Sequence, residues 1–396
     1  MSMAATVATT KLDDLRVQMP ALQATGYFNA GTFGPMPRVG VEAAQELLGA
    51  DLELGRIAPG SYERAGERNR SVTEIAASMF GADAREFALT HSAGEGLNIA
   101  LMGIDWSAGD EVITTAEEHP GLLNPLALLS RRYGVVNRVV PVSSDPQEFL
   151  DSIEGKITSS TRVIALSHVL WSTGTVLPLR EICELARQHE LMVVVDAAQS
   201  AGQVPINLHD LGVDAYAMAG QKWLCGPEGT GLLYVRYDRF ADISPTYARY
   251  GQADMSGFFM PPSTAHRYES GEFTGPVIAA QAATLTWLRD DVGIDWAYAR
   301  VAEMGALFRS LIVEIPGVTV VTPANAMAGM VNFNVADMHP RRVSDALYDR
   351  GYTIRFVEYA PCVVSARASV SWWNSEAEVR GLADALAEIA SGPRDA

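Results

Sequence analysis

Two charged side chains follow apolar runs in the middle of the chain. The first run, VVV at 193–195, ends at Asp196, and the second, Val213 to Ala219, is followed by Lys222. Runs of this kind are typical of strands buried inside a parallel sheet. Because functional groups gather where such strands end in an open α/β sheet, we expect the carboxylate and the amine to lie close together.

An amine beside a carboxylate suits chemistry that depends on pyridoxal phosphate. A lysine amine can hold the cofactor's aldehyde as a Schiff base, and a carboxylate keeps the ring nitrogen protonated. Taken singly, most lysines are solvated and most aspartates after strands form turns. The joint pattern of Asp196 and Lys222 therefore predicts a pyridoxal phosphate site more strongly than either residue does.

A segment of small residues is a candidate phosphate site. The stretch FALTHSAGEGLN at 87–98 passes from a short apolar strand through Ser92, Ala93 and Gly94 into an apolar helix. Small residues at a helix start let backbone amides point at an anion, and the helix dipole favours negative charge there. Such starts are also common caps, so the signal gains its weight from Lys222.

The segments DAAQSAGQ at 196–203 and KWLCGPEGTG at 222–231 resemble the class V aminotransferases almost letter for letter. These are a branch of the fold-type I pyridoxal phosphate enzymes, and the resemblance covers nearly the whole chain. It implies that Lys222 is the Schiff-base lysine and that Asp196 pairs with the ring nitrogen. It also implies that Gln199 lies near the ring's phenolic oxygen and that His119, in the segment EEHP, stacks on the ring.

Several positions depart from the family pattern around the cofactor. Gly94 stands where desulfurases usually carry threonine, and Ala219 and Gln221 replace a serine and a histidine that face the phosphate. Gln221 can still donate a hydrogen bond, whereas Ala219 cannot. Trp171 stands near the place of an asparagine and is typical of the epimerase-like branch.

A further departure lies where the family brings a Gly-Thr pair to the phosphate of the other subunit. The pair is Gly271-Glu272 in this sequence. An acid repels a phosphate, so either Glu272 turns away or Thr274 substitutes.

A motif near the end of the chain predicts the substrate site. The segment RASVSWWNSE at 367–376 resembles the family's Arg-x-Ser motif, which implies that Arg367 binds the substrate α-carboxylate. An arginine can hold a carboxylate through two parallel bonds. Arg355 is a second candidate, and Asn29, in the loop YFNAGTFGPMP at 27–37, is a weaker one.

The resemblance also implies the architecture. We expect an α/β fold with a large domain, residues 23–280, built on a mostly parallel seven-stranded sheet. Residues 1–22 and 281–396 are expected to form a smaller α+β domain, because long helices and short strands alternate there. The family completes its active site across a subunit interface, so we expect a homodimer.

Composition excludes several classes of partner. The 396 residues carry a formal net charge of -17 and a sequence pI near 4.8, which opposes binding to nucleic acid or to an anionic membrane. The cysteines, at 183, 225 and 362, show no metal-ligand spacing and no disulfide framework, so we expect no metal site. The chain lacks a secretory signal pattern and an apolar run long enough to span a bilayer, so we expect a cytoplasmic protein.

The residues do not by themselves decide which bond breaks. A desulfurase needs a mobile cysteine, and Cys362 is its one candidate, but the segment between Arg355 and Arg367 is too short for the family's cysteine loop. An epimerase needs a second proton donor opposite Lys222, and a transaminase remains possible. A carbon–sulfur β-lyase needs the least, because Lys222 removes the α-proton and a thiolate leaves readily.

The region between the two arginines is similar to that of cystine and cysteine-conjugate lyases of this class. It also resembles enzymes of lincosamide antibiotic biosynthesis that act on S-linked cysteine conjugates. One of those splits the C–S bond, and its relative decarboxylates and oxidises the cysteine arm to an aldehyde. We therefore predict β-elimination on an S-substituted cysteine conjugate, with decarboxylating oxidative deamination, epimerisation, transamination and desulfuration as the alternatives.

Overall fold

The computed structural model describes residues 10–249, 252, 256, 258, 261–271, 273–359 and 363–392. The helices are α1 (Lys11–Arg16), α2 (Arg38–Leu54), α3 (Ser61–Phe80), α4 (Ala93–Met102), α5 (Pro120–Tyr133), α6 (Pro146–Glu154), α7 (Leu179–Gln188), α8 (Leu208–Leu211), α9 (Gly275–Trp287), α10 (Ile294–Ile312), α11 (Pro340–Tyr348) and α12 (Glu376–Ser391). The strands are β1 (Gly26–Tyr27), β2 (Phe87–Thr90), β3 (Glu111–Thr115), β4 (Val136–Val140), β5 (Thr161–Ser167), β6 (Met192–Asp196), β7 (Ala215–Ala219), β8 (Gly231–Val235), β9 (Val318–Val320), β10 (Met330–Val335), β11 (Tyr352–Thr353), β12 (Arg355–Tyr359) and β13 (Val363–Ser369).

A seven-stranded sheet forms the centre of the molecule, in the order β2-β8-β7-β6-β5-β3-β4. Strand β8 is antiparallel to both of its neighbours, and the remaining pairs are parallel. A second, antiparallel sheet has the order β12-β13-β10-β9. This architecture confirms the predicted fold class.

The apolar run at 192–195 is explained by burial on both faces of the central sheet. Val193 and Val195 pack into one apolar cluster, whereas Met192 and Val194 pack into another. Side chains alternate between the two faces of a strand, so a strand covered on both sides must be apolar throughout. The ends of such a strand are then the first positions where a charged side chain can reach solvent or a ligand.

Two elements have bounds that the local sequence pattern does not reveal. Helix α3 begins at Ser61, although its first half, SYERAGERNR, is too polar to show an apolar period. Strand β11 is followed at once by β12, which runs from Arg355 to Tyr359. Arg355 therefore stands at the start of a strand that pairs with β13.

The N-terminal part of the chain contacts the region of the second sheet. Strand β1 pairs in parallel with β11, and Phe28 packs into the apolar cluster that contains Phe333 and Leu386. The division into domains at 22/23 and 280/281 stays a prediction. Within the described part of the chain, no helix is both long and apolar enough to cross a membrane.

Candidate active site

Asp196 and Lys222 lie at the same edge of the central sheet. Asp196 is the last residue of β6, which runs parallel to β7, and Lys222 lies in the turn that follows β7. Both line a cavity of about 310 Å³. The lining residues are Gly31, Thr32, Phe33, Ser92, Ala93, Gly94, His119, Gly121, Trp171, Asp196, Ala198, Gln199, Ala219, Gln221, Lys222, Arg355 and Arg367.

The environment of Lys222 makes its amine a weak base. Burial lowers the pKa of Lys222 to about 8, and the charge of Asp196 opposes that shift. The guanidinium groups of Arg367 and Arg355 lower the pKa of Lys222 further. A lysine of this kind keeps a neutral fraction near neutral pH, and the neutral amine is the form that attacks a carbonyl carbon or accepts a proton.

Asp196 is a buried carboxyl, 4% exposed. Burial raises the pKa of Asp196, while the charge of Lys222 and a hydrogen bond from the Ala198 N–H at 2.9 Å act in the opposite direction. A buried carboxylate of this kind is stabilised by any cation placed beside it. A protonated ring nitrogen would supply that cation.

The first turn of α4 forms one end of the cavity. Ser92 is the N-cap of α4, and its Oγ accepts a hydrogen bond from the Glu95 N–H at 3.1 Å. A Cβ added at Gly94 would meet only Ser92 Oγ, at 3.7 Å, apart from neighbouring backbone, so the space beside this turn is open. Together with Ala93, these residues present backbone N–H groups and the positive end of a helix dipole to an anion.

His119 and Trp171 form a wall of the cavity. Their rings meet edge to face with centroids 5.0 Å apart. The Nδ1 atom of His119 accepts a hydrogen bond from the Gly121 N–H at 3.0 Å, which leaves the proton of the neutral ring on Nε2. Burial, reinforced by the charges of Lys222 and the two arginines, lowers the pKa of His119 to about 4, so the ring is neutral at neutral pH.

Gln199 lines the cavity, and its side-chain amide is already hydrogen-bonded to other protein groups. Its Nε2 donates to the carbonyl of Gly31 at 3.0 Å, and its Oε1 accepts from Trp223 Nε1 at 3.0 Å. The side chain is 5% exposed. Gln199 therefore fixes the loop that contains Gly31, and its proximity to a ring oxygen stays a prediction.

Two arginines form the other end of the cavity. Arg355 on β12 and Arg367 on β13 are register partners, so their side chains share one face of the second sheet. Arg367 is 2% exposed and donates to the Trp171 carbonyl at 3.4 Å and to Thr32 Oγ1 at 3.3 Å. Burial and the charge of Arg355 lower the pKa of Arg367 to about 9. Arg355, by contrast, is exposed.

The structure does not bring Asn29 to the cavity lining. Its Oδ1 accepts a hydrogen bond from Thr32 Oγ1 at 2.7 Å, and Thr32 in turn contacts Arg367. The loop turns at Asn29, whose carbonyl accepts from the N–H groups of Thr32 and Phe33 at 3.0 Å and 3.2 Å. Because of this turn Thr32, rather than Asn29, contacts Arg367.

Some lining residues were not singled out by the sequence. Gly31, Thr32 and Phe33 lie in the loop 27–37, of which only Asn29 was named as a candidate, while Ala198 lies in the motif 196–203 without an assigned role and Gly121 carried no recognisable chemical signal. Gly31 offers a structural reason for its type, since a Cβ there would lie 2.8 Å from Ser369 Oγ and 3.1 Å from Arg367 Nη2.

Some predictions concern residues that are either outside the described part of the chain or described and not in the lining. Glu272 and Cys362 lie outside the described residues. Thr274 is the N-cap of α9 and makes no capping hydrogen bond through its side chain. Cys183 and Cys225 are buried and do not line the cavity.

Pyridoxal phosphate fits the groups that converge here. Among the described residues, three buried polar atoms of the lining have no hydrogen-bond partner, namely Gln221 Oε1, Trp171 Nε1 and Arg367 Nε. Each such atom costs about 1–3 kcal/mol if it stays unpaired, so the cavity has polar capacity for a ligand. An anion site at α4, a carboxylate at Asp196 and an amine at Lys222 match a phosphate, a ring nitrogen and an aldehyde.

Comparison with known proteins agrees with this arrangement. The family model of class V aminotransferases matches residues 27–382. A probable cysteine desulfurase of Halalkalibacterium halodurans is 27% identical over 349 residues, 84% of this chain and 83% of that protein. An isopenicillin N epimerase of Streptomyces clavuligerus is 27% identical over 382 residues, 90% and 93% of the two chains. The solved structure of the cystine C–S lyase C-DES is similar with a TM-score of 0.88 and 28% identity, covering 94% of this chain and 99% of that one. The chain therefore belongs to the class V aminotransferase family and is a pyridoxal phosphate-dependent enzyme.

Proposed function

We propose that this enzyme cleaves the carbon–sulfur bond of a cysteine-type substrate by β-elimination, with an S-substituted cysteine conjugate as its preferred substrate. The observation that carries the proposal is the cavity, which joins one weakly basic amine, Lys222, to two guanidinium groups and has no thiol among its described lining residues. The relatives named as cysteine desulfurases and as a cystine C–S lyase support cleavage of the same type of bond.

The cofactor would be held along the length of the cavity. The residues proposed for its phosphate, ring and ring nitrogen are Ser92, Ala93, Gly94, Gln221, His119, Gln199 and Asp196. When bound, the cofactor accepts the electron pair that is left when the substrate's α-proton is removed.

Lys222 moves the proton in this proposal, while Arg367 orients the substrate. Arg367 holds the α-carboxylate, and the amine of Lys222 takes the α-proton. The bond between the β-carbon and sulfur then breaks, and its electron pair leaves with the sulfur as a thiolate, which a solvent proton converts to the thiol. The remaining 2-aminoacrylate reacts with water to give pyruvate and ammonium.

The exposed end of the cavity favours a substituted sulfur over free cysteine. Arg355 and Phe33 both line the cavity and both are exposed. The cavity therefore reaches the surface beside the arginine pair, and a group attached to the substrate sulfur can extend outward past Arg355. A negatively charged or polar substituent suits that position, because Arg355 brings a cation to it.

The desulfurase alternative needs a reactive thiolate close to the substrate. Burial raises the pKa of Cys183 to about 12 and also raises that of Cys225, so neither is a thiolate near neutral pH. That alternative therefore rests on Cys362 alone, which lies outside the described residues.

Product analysis by mass spectrometry tests the proposal. The holoenzyme is incubated in air with cystine and a panel of S-substituted cysteines of increasing size, with Lys222→Ala as the control. We expect pyruvate with a thiol or persulfide product, and higher kcat/KM for the conjugates than for cysteine. Alanine with an enzyme-bound persulfide that Cys362→Ala abolishes would overturn β-elimination in favour of desulfuration.

The same samples distinguish the remaining alternatives. Carbon dioxide with an S-linked aldehyde identifies decarboxylating oxidative deamination, and a keto acid that retains the sulfur identifies transamination. Solvent deuterium at the α-carbon of an otherwise intact substrate identifies epimerisation. Any of these as the main product contradicts the proposal.

We also propose a homodimer with a site completed across its interface, as the family leads us to expect. Light scattering on the eluting protein should give twice the 42.6 kDa of one chain. A monomer with full activity would contradict a shared site.

A further inference from the structure

Strand β3 has a buried glutamate near each end. Glu111 is its first residue and is 4% exposed, and Glu118 lies three residues beyond its last residue, Thr115, and is 2% exposed. Both carboxylates accept hydrogen bonds from β5: Glu111 from Thr161 Oγ1 at 3.3 Å, and Glu118 from the Ser167 N–H at 3.0 Å. The two glutamates therefore join the same pair of strands at opposite ends.

The two carboxyls differ in how their charge is compensated. Glu111 forms an ion pair with Arg138. Glu118 accepts from Thr115 Oγ1 at 2.8 Å and from the amide and hydroxyl of Ser167, and it has no ion pair with a lysine or arginine within the described ranges. Burying a carboxylate without a cation is unfavourable, so a tie between strands alone does not account for a glutamate at 118.

The position of Glu118 connects two groups of the cofactor site. Ser167 is the last residue of β5 and lies opposite Asp196 in the strand register. His119, whose ring lines the cavity, is the next residue after Glu118. The carboxyl of Glu118 is thus hydrogen-bonded to Ser167, which lies beside Asp196. The backbone of Glu118 continues directly into His119.

The charge of Asp196 acts on Glu118. Burial first, and the charge of Asp196 in addition, raise the pKa of Glu118 to about 7, against the hydrogen bonds from Ser167 and Thr115. Titratable residues also adjoin Glu118 and Ser167 in the chain: Glu117, which accepts from Ser172 Oγ at 2.9 Å, and His119 and His168, whose pKa values burial lowers to about 4.

We propose that Glu118 is a positioning residue for the cofactor. Its carboxyl accepts hydrogen bonds from the ends of β3 and β5, and in this way fixes the ring of His119 and the carboxylate of Asp196 relative to each other. The inference requires a bound cofactor and does not depend on which bond of the substrate is cleaved. Its test therefore uses the state of the cofactor and leaves the proposed C–S cleavage aside.

The matched pair Glu118→Leu and Glu111→Leu gives the first test, since both remove a buried tie between β3 and β5. We measure the visible circular dichroism of bound pyridoxal phosphate, its Kd by titration of the apoprotein, and the Tm of the apoprotein. In Glu118→Leu we expect the dichroism to fall by at least half and the Kd to rise about tenfold, by analogy with the removal of a hydrogen-bonding partner behind a metal ligand.

Glu111→Leu should lower the Tm of the apoprotein, because it removes the ion pair with Arg138, and should leave the dichroism and Kd within about twofold of the wild type. Wild-type dichroism and Kd in Glu118→Leu, or equal changes in both variants, would show a purely structural role and overturn the inference.

Glu118→Gln keeps the shape of the side chain and removes its charge, so it serves if the leucine variant does not fold. Glu118 is neutral well below its pKa of about 7, and we expect the cofactor's absorbance in Glu118→Gln to match the wild type there. Above that pH the wild type gains a negative charge beside Asp196 and the two spectra should separate, whereas Glu111→Gln should follow the wild type throughout. Superimposable pH titrations of Glu118→Gln and the wild type would contradict the coupling to Asp196.

Discussion

At one end of the cavity the start of α4 offers backbone N–H groups and the hydroxyl of Ser92, and the α4 residues that line it, Ala93 and Gly94, are uncharged. At the other end Arg367 and Arg355 bring two full positive charges to one face of a sheet. Fixed amides can hold a resident anion without loss of side-chain freedom. Guanidinium groups add charge and a forked geometry, which suits a carboxylate that must be captured anew in each turnover.

The two arginines are also held in an electrostatically unfavourable arrangement. Like charges directly opposite each other on neighbouring strands are destabilising. Burial first, and the charge of Arg355 in addition, lower the pKa of Arg367, and its Nε is left without a partner within the described part of the chain. A bound carboxylate relieves both features, so substrate binding at this end should gain more free energy than phosphate binding gains from any single group at the other.

Lys222 lines the same cavity, and its replacement should have the largest effect. We expect Lys222→Ala to lower kcat by about 10⁴-fold, because the proposed proton-transfer group is lost. The purified variant should also lack the visible absorbance band of the covalently attached cofactor. A variant that keeps more than about a tenth of wild-type kcat would show that another group moves the α-proton.

The arginine pair gives the next largest effect and tests its two members against each other. Arg367→Gln should lower kcat/KM by roughly a hundredfold, about 3 kcal/mol, because it leaves a substrate carboxylate buried without its partner. Arg355→Gln should change it less than about fivefold for a substrate whose only carboxylate is the α-carboxylate, since exposed pairs contribute about 0–1 kcal/mol. Equal losses in both variants would mean that the arginines share that carboxylate.

The pH dependence of cofactor uptake tests the amine directly. Burial favours the neutral form of Lys222, so its pKa of about 8 lies below the ordinary lysine value. The protonated amine cannot attack an aldehyde, so the rate of pyridoxal phosphate attachment to the apoprotein should rise about tenfold per pH unit below that pKa and level off above it. Stopped-flow absorbance measures the rate. A profile still rising above about pH 10 would show that Lys222 has an ordinary pKa.

The smallest effect is expected at the phosphate end, because several amides share the anion. Ser92→Ala should weaken pyridoxal phosphate binding about fivefold, close to the 1 kcal/mol of one hydroxyl hydrogen bond. Ser375→Ala is the matched control, since Ser375 caps α12 through the Glu378 N–H at 3.2 Å in the same manner. Both variants should lose similar stability, and only Ser92→Ala should change the Kd. A changed Kd in both variants would mean that the weaker binding of Ser92→Ala reflects lost stability.

The sequence identified the strand ends because the apolar pattern of a buried strand is a local feature of the chain. Apolar runs buried on both faces mark strands, and Asp196 and Lys222 follow two such runs, so the sequence alone could place them at one edge of a parallel sheet. The start of α4 was visible for a similar reason, since small residues after a strand favour a helix N-terminus. The family's motifs added roles that local patterns do not contain.

The surroundings of those residues depended on contacts far apart in the chain. Arg367 and Thr32 are 335 residues apart and meet in the cavity, and the turn at Asn29 decides which side chain of that loop reaches the arginine. The carboxyl of Glu118 acquires its relation to Asp196 through Ser167, 49 residues further along the chain.

The sequence by itself therefore placed Asp196 and Lys222 near the ends of buried strands, which follows from the apolar period of those strands, and its resemblance to the class V aminotransferases supplied the class of fold. The tertiary structure decided that Arg367 is buried while Arg355 is exposed, and that the amide of Gln199 is already hydrogen-bonded. It also decided that the carboxyl of Glu118 has no lysine or arginine paired with it within the described ranges. Burial and pairing of a side chain depend on every element packed around it, and no local pattern in the chain encodes that environment.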